Sequence, residues 1–345
     1  MKDLASTAAA LVAPAKGILA ADESIPALSA LLASAGIAPT EANRRAYHEM
    51  LVTTPALATG ISGVIVGPQT WSQRMADGTP FPSAIRHRGM LPGIRVDTGA
   101  APLPGYPGET VTEGLDGLWA RLRYFAGCGA AFASWRAVVR IGPGTPSPIA
   151  VRANAQALGR YAAACQHAGL VPVVQPEVQA DSSASLAQCE TLTSVLLLEV
   201  VTALQDYGVA LDGMILAPSM VGSQAGLQAS PAEVAEATVA ALACLPAAVA
   251  GVAFSSGRQP PRQATAALAA LQLPLVVWPL TFCFGHALTG QALAAWRGSA
   301  AGLPAAQRAL ASRIALNVAA LERRYAPGLD AGSRSVPASW PGARS

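Results

Sequence analysis

Lysine is almost missing from this chain. Lys2 and Lys16 are the only two in 345 residues, so any chemistry through a lysine amine has just those side chains to draw on. Charge of either sign is sparse, at 12% of residues, and the basic residues are scattered rather than gathered into a stripe, which excludes a nucleic-acid surface. Hydrophobic residues make up 52%, yet no stretch of about 18 apolar residues runs free of glycine, proline and charge, so no membrane span is predicted. The five cysteines, Cys128, Cys165, Cys189, Cys244 and Cys283, are odd in number and irregular in spacing. That argues against a disulfide framework and predicts free thiols in a reducing, cytoplasmic setting. The apolar run 7–12 imitates a secretory leader, but Pro14 and Lys16 interrupt it too early, and a short helix leading into a first strand is expected instead.

What the chain does contain is alternation. Short runs with β-branched residues fall at 17–22, 63–66, 93–96, 132–141, 171–174, 214–216, 252–254 and 275–282. Alanine-rich segments of helical period lie between them, for example 148–169, 185–207, 231–245 and 305–323. Eight strand–helix repeats predict an α/β chain folded as a single closed (β/α)8 barrel. An open doubly wound sheet would carry a glycine-rich dinucleotide loop after its first strand, and none is present. No linker divides the chain, so one barrel domain is expected over 1–325 with a flexible tail over 326–345.

In such barrels the working residues stand at the C-terminal ends of the strands. The strand ends here offer Asp22, Arg95, Asp97, Ser134, Arg136, Gln175, Glu177, Ala217, Ser256, Arg258 and His286. Each has a plainer reading beside the functional one. Asp22 in the run Asp-Glu-Ser before Pro26 suits a helix cap, and Glu177 suits an ion pair with Arg136. Trp135 and Trp278 read as packing, and His48, His87 and His167 as surface residues. Cys283 and His286 have the spacing of a metal pair but no second pair nearby, so neither a metal nor a cofactor is predicted.

The segments GILAADES from Gly17, EANRR from Glu41, GIRVD from Gly93, FASWR from Phe132, Pro176-Glu177, PSMV from Pro218 and WPLTF from Trp278 together resemble class I fructose-bisphosphate aldolases along nearly the whole chain. That family forms an imine between its substrate and a lysine on the sixth barrel strand; the matching position here is Ala217. The resemblance places Ser134 where the family has a lysine on strand four, Gln175 at the first of two glutamates on strand five, and Arg95 at a lysine on strand three. Asp22, Arg136 and Glu177 match the family directly. For phosphate, Ser256 and Gly257 match the loop after strand seven and Gly285 the loop after strand eight. His286 stands at that second loop's arginine and Arg258 at a glycine of the first. Ala27 and Leu31 stand at the serine and arginine of the family's second phosphate site, which favours a shorter substrate, or one with a hydrophobic end, over a bisphosphate. The family's terminal tyrosine has no counterpart in the ending WPGARS from Trp340.

Alanine offers no nucleophile, glutamine shuttles no proton, and serine supplies no positive charge. Read this way, the chain is expected to be a divergent aldolase-fold enzyme of small-molecule metabolism that works by imine-independent acid–base chemistry and is not an active fructose-bisphosphate aldolase. Glu177 would be the base, Asp22 a second acid, and Arg136, Ser134 and Gln175 holders of a developing oxyanion. Arg95, Ser256, Gly257, Arg258, Gly285 and His286 would bind the substrate, with His286 as an alternative acid or base. Two readings stand beside it: a catalytically dead barrel with a binding role, and an aldolase whose lysine was removed by engineering. The expected partner is a small, anionic molecule, with no nucleic acid and no membrane. The alanine-rich, weakly charged surface makes a homo-oligomer plausible.

Overall fold

In the computed structural model, residues 3–180, 184–222, 229–257, 259–273 and 276–330 are described. Ten strands occur along them: β1 (Gly17–Ala21), β2 (Ile61–Val66), β3 (Leu91–Arg95), β4 (Gly99–Pro102), β5 (Thr110–Glu113), β6 (Phe132–Ile141), β7 (Val171–Ala180), β8 (Ile215–Leu216), β9 (Val252–Phe254) and β10 (Leu280–Phe284). Eight of them close as a parallel barrel in the order β1-β10-β9-β8-β7-β6-β3-β2. The other two, β4 and β5, pair antiparallel as a separate hairpin, where the sequence reads as a proline-glycine loop.

The strands alternate faces, as their pleat requires. Ile18, Ile65, Phe132, Val171, Val173, Ile215, Ala217, Ala253 and Cys283 pack into one inner cluster. Leu11 and Val12 join that cluster from the end of the leading helix Leu4–Leu11, which plugs the N-terminal end of the barrel. Ser62 on β2 fastens the plug, its Oγ donating to the carbonyls of Leu11 at 2.6 Å and Gly17 at 3.0 Å. Residues of the opposite parity, such as Leu19, Val64, Ile94, Trp135, Val174 and Phe284, form the larger cluster beneath the surrounding helices. Parity therefore fixes the inward set on two strands: Phe132, Ser134 and Arg136 on β6, and Val171, Val173, Gln175 and Glu177 on β7.

The helices start where the sequence caps them. Ser147 caps Pro148–His167, and Ser185 and Ser230 form capping boxes with Gln188 and Glu233 for Leu186–Asp206 and Pro231–Ala241. The helix Leu186–Asp206 is long and apolar enough to cross a membrane by length and composition, but it lies in the ring around the barrel, with Leu196, Leu197, Val200 and Leu204 buried.

Three expectations need correction. The strand read over 171–174 continues through Pro176 to Ala180, in register with β6 the whole way. Its neighbour β8 pairs in regular register only at Val173 and Val174; beyond it the Pro176 carbonyl accepts from the Ser219 amide at 3.4 Å, and the missing Pro176 N–H falls where the regular ladder has ended. The last run, read over 275–282, becomes β10 at Leu280–Phe284; Trp278 lies before the strand and its indole donates to the Pro246 carbonyl at 2.9 Å. His48 is not a surface residue, being buried on the helix Glu41–Val52 with Nδ1 2.9 Å from Thr70 Oγ1. Of the segment read as a tail, Pro327–Asp330 forms a short 3-10 turn with Asp330 buried against Arg313, and 331–345 lies outside the described residues.

Candidate functional site

Most of the sequence-selected residues meet at the C-terminal end of the barrel. β1 ends at Ala21 and delivers Asp22, while β3 ends at Arg95 with Asp97 two residues beyond. Pairing sets Arg95 opposite Ser134, Arg136 opposite Gln175 and Val138 opposite Glu177. Gln175 and Glu177 thus project from inside a strand rather than from its end. Ala217 follows β8, 1% exposed, among the inner apolar residues. Lys16 enters β1 from the plugged end, opposite the mouth, and Lys2 lies outside the described residues.

Asp22 does not cap the next helix. Ser24 does so, its Oγ accepting from the Ala27 amide at 3.3 Å. The Asp22 carboxylate faces the charges of the mouth instead: burial raises its pKa, and Arg95 and Arg136 pull it back. Asp97 behaves alike, raised by burial and opposed by Arg95, while its oxygens accept from the amides of Gly99 at 3.1 Å and Arg136 at 3.3 Å.

Glu177 pairs with Arg136, Nη1 to Oε2 3.4 Å, so the ion pair expected from sequence is formed. It does not absorb either group, because the Glu177 side chain is 7% exposed and that of Arg136 58%. Gln179 donates to the other Glu177 oxygen at 2.6 Å. The Ser134 hydroxyl is 1% exposed with no hydrogen-bond partner among the described residues, and Arg95 Nε is in the same state.

At the loops after β9 and β10, Ser256 is buried and Gly257 exposed, and Arg258 lies outside the described residues. A Cβ on Gly285 would stand 2.9 Å from the Ala20 carbonyl oxygen, so only glycine lets this loop approach β1. His286 opens the helix His286–Trp296, with its imidazole lying over Gly290 one turn on. Burial lowers its pKa, which favours the neutral ring. Ala27 is exposed and Leu31 buried in the helix Ile25–Ser34. Among the described residues no group of three His, Cys, Asp or Glu side chains could hold a metal ion.

Sequence reading passed over Glu23. Its carboxyl is driven up to about 7 by burial, with the Asp22 charge adding to the rise; one oxygen has no partner among the described residues, and its own charge is felt by Tyr47. The signal was present, since Glu23 follows a strand-end aspartate, but its burial, with Tyr47 of the helix Glu41–Val52 within reach of its charge, exists only in the fold.

The family model "Fructose-bisphosphate aldolase class-I" matches residues 3–338. A "Probable fructose-bisphosphate aldolase class 1" of Xanthomonas campestris pv. campestris is 48% identical over 86% of this chain and 90% of its own length. The "Fructose-bisphosphate aldolase, non-muscle type" of Lethenteron camtschaticum is 42% identical over 96% of this chain and 93% of its own. The Drosophila melanogaster fructose-bisphosphate aldolase is 43% identical over 97% and 94%. Among solved structures, the fructose-bisphosphate aldolase of Plasmodium falciparum, in a ternary co-crystal with TRAP and a small-molecule inhibitor, superposes with a TM-score of 0.91 at 36% identity, covering 94% of this chain and 95% of that one. These findings contradict the expectation, drawn from Ala217, Ser134 and Gln175, of a barrel that has left aldolase activity for other chemistry, for none, or through engineering: relatives this close over this much of the chain are named as fructose-bisphosphate aldolases. With the closed eight-stranded barrel and the family model spanning nearly all of it, the chain belongs to the class I fructose-bisphosphate aldolase family.

Proposed function

We propose that the mouth of this barrel performs aldolase-type lyase chemistry on a small phosphorylated carbonyl compound, and that it does so with no lysine at the Schiff-base position. The observation that carries this reading is the convergence of Asp22, Asp97 and Glu177 with Arg95 and Arg136 at one end of the barrel. In the cleavage direction, Glu177 takes the proton of the hydroxyl β to the carbonyl. The carbon–carbon bond breaks, the new aldehyde leaves, and the electron pair moves onto the carbonyl oxygen as an enolate, held by the guanidinium groups of Arg95 and Arg136. Asp22, whose pKa burial raises against the pull of Arg95 and Arg136, returns a proton to the carbanion carbon. Ser134 and Gln175 complete the ring of donors at this oxygen, and Ser256, Gly257 and Gly285 offer a loop site for one phosphate. His286, held neutral, can donate to that phosphate but adds no charge. Arg258, in the same loop sequence, is assigned to it on sequence alone. The barrel spans the chain to about residue 325 in this reading.

Retro-aldol assays with fructose 1,6-bisphosphate and fructose 1-phosphate, following triose phosphate release, test the proposal. Turnover that is lost in Glu177→Gln and Asp22→Asn supports it; no turnover of either sugar in the intact protein sinks it. Borohydride treatment with dihydroxyacetone phosphate tests the second part, since a stable protein adduct by intact mass would show that a lysine does take part.

A further inference from the structure

β8 is too short for the strand beside it. It ends at Leu216 and pairs in register with β7 only at Val173 and Val174, while β7 runs on to Ala180 and carries Glu177 beyond that pairing. On its other side Glu177 stands opposite Val138 in the continuous β6 ladder. The regular sheet therefore holds the backbone of Glu177 from one side only.

Ser219 supplies the second side. Its amide donates to the Pro176 carbonyl at 3.4 Å, and its Oγ accepts from the Val178 amide at 3.2 Å. Those bonds fall on the peptide groups immediately before and after Glu177. Peptide groups are planar, so the two rotations at a residue are set by its flanking planes, and holding both planes fixes where its side chain points. Pro176 adds its own locked φ one residue earlier. Ser219 is 2% exposed, which keeps water from competing for the bond through its oxygen. Its segment is fastened in turn to the far strand: the Ser255 amide donates to the Pro218 carbonyl at 2.8 Å and the Met220 amide to the Ser255 carbonyl at 3.4 Å. The bonds to Pro176 and Ser255 are made by backbone, whereas the bond to Val178 uses the serine oxygen.

Resting on the aldolase-type reading above, in which Glu177 is the base, we infer that Ser219 is its positioning residue, the serine oxygen fixing the peptide after Glu177 so that the carboxylate is aimed at the substrate hydroxyl. Ser219 touches no reacting atom in this assignment. It acts through the backbone of Glu177, and displacing a reacting group by about 1 Å can cost on the order of a hundredfold in rate. Replacing the side chain leaves the backbone bonds to Pro176 and Ser255 available, so the loop that continues into Ser256 and Gly257 keeps its anchor.

Retro-aldol kinetics of the intact protein and of three variants, each checked for folding by circular dichroism, test this. Ser219→Ala removes the oxygen, and Ser219→Cys replaces it with a weak sulfur acceptor at nearly the same volume. Both should lower kcat about tenfold or more while KM stays within about twofold, because a misaimed base slows the chemical step without weakening substrate binding. Ser219→Thr keeps the oxygen and should hold kcat within about threefold of the parent. The cysteine variant carries the test alone should alanine fail to fold. An unchanged kcat in the variants that lack the oxygen overturns the positioning inference and leaves the aldolase-type proposal standing. A rise in KM as large as the fall in kcat also overturns it, since that places the effect at the Ser256–Gly257 loop. Absence of turnover in the parent overturns both.

Discussion

Arg136 on β6 and Glu177 on β7 form an ion pair with one partner buried and the other open to solvent, their side chains 7% and 58% exposed in the order Glu177, Arg136. The carboxylate raises the guanidinium pKa further above its ordinary value. This asymmetry decides what each member is worth. A half-exposed guanidinium contributes little to stability, and a buried carboxylate at a barrel mouth, already bonded to Gln179, is oriented rather than neutralised.

Arg136→Ala should therefore cost under about 1 kcal/mol in urea unfolding, while lowering turnover or substrate affinity about tenfold or more. A stability loss of several kcal/mol with unchanged activity would show that the pair is structural.

A second pair should behave in the opposite way. Arg313 and Asp330 are fully buried, with Arg313 Nη1 2.8 Å from both carboxylate oxygens and Nη2 bonded to Thr265 Oγ1 and the Pro261 carbonyl. Asp330→Ala leaves a buried guanidinium without its counter-charge and should cost about 3–5 kcal/mol. The double change Arg313→Met with Asp330→Leu should recover much of that loss; chemical denaturation of both variants decides the matter.

Glu23 sets a pH dependence. Its carboxyl is raised from 4.5 to about 7 in the fold, so the folded chain holds a proton that the unfolded chain has already released. That group's stabilising contribution is present below about pH 4.5 and is lost as pH rises through about 7. Glu23→Gln removes the titration. Its melting temperature relative to the parent should climb between pH 5 and pH 8, and parallel melting curves across that range would exclude the assignment.

His48 works in the other direction. Burial lowers it from 6.5 to about 4, so the unfolded chain takes up the proton first. The contribution is present above about pH 6.5 and is lost as pH falls towards 4, by up to about 3 kcal/mol. His48→Gln should flatten the acid limb of the stability profile between those values. An unchanged acid limb would show that other groups set it.

His286 gives a packing test. Adding a Cβ at Gly290 places it 2.5 Å from the imidazole, so Gly290→Ala must move the ring. If His286 contacts the phosphate, the substrate KM rises severalfold with kcat nearly kept. Equal loss of both parameters would place the ring at the reacting centre instead.

The barrel was legible because its signals are local. Runs such as Ile61–Val66 and Val252–Phe254 stop at glycine, proline or serine, and the caps Ser147, Ser185 and Ser230 stand in plain view before their helices. The period of two, read on the observed strands, puts Ser134 and Arg136 on one face of β6 and Gln175 and Glu177 on one face of β7. Misreadings fell where a neighbour distant in sequence decides the outcome. Nothing local to Pro176 says that β8 stops short beside it, and nothing in the polar helix around His48 says that Thr70 lies over it.

By itself, the amino-acid sequence determined the barrel, its family and the set of chemical groups at the open end, because hydrophobic period, caps and strand-end residues are properties of the chain read in order. Only the tertiary structure decided how those groups are paired. It sets Ser24 rather than Asp22 at the helix cap, buries Glu23 within reach of Tyr47, and leaves Ser134 buried with no partner among the described residues. Burial and charge balance are sums over strands and helices dozens of residues apart, and they exist only once the barrel has closed.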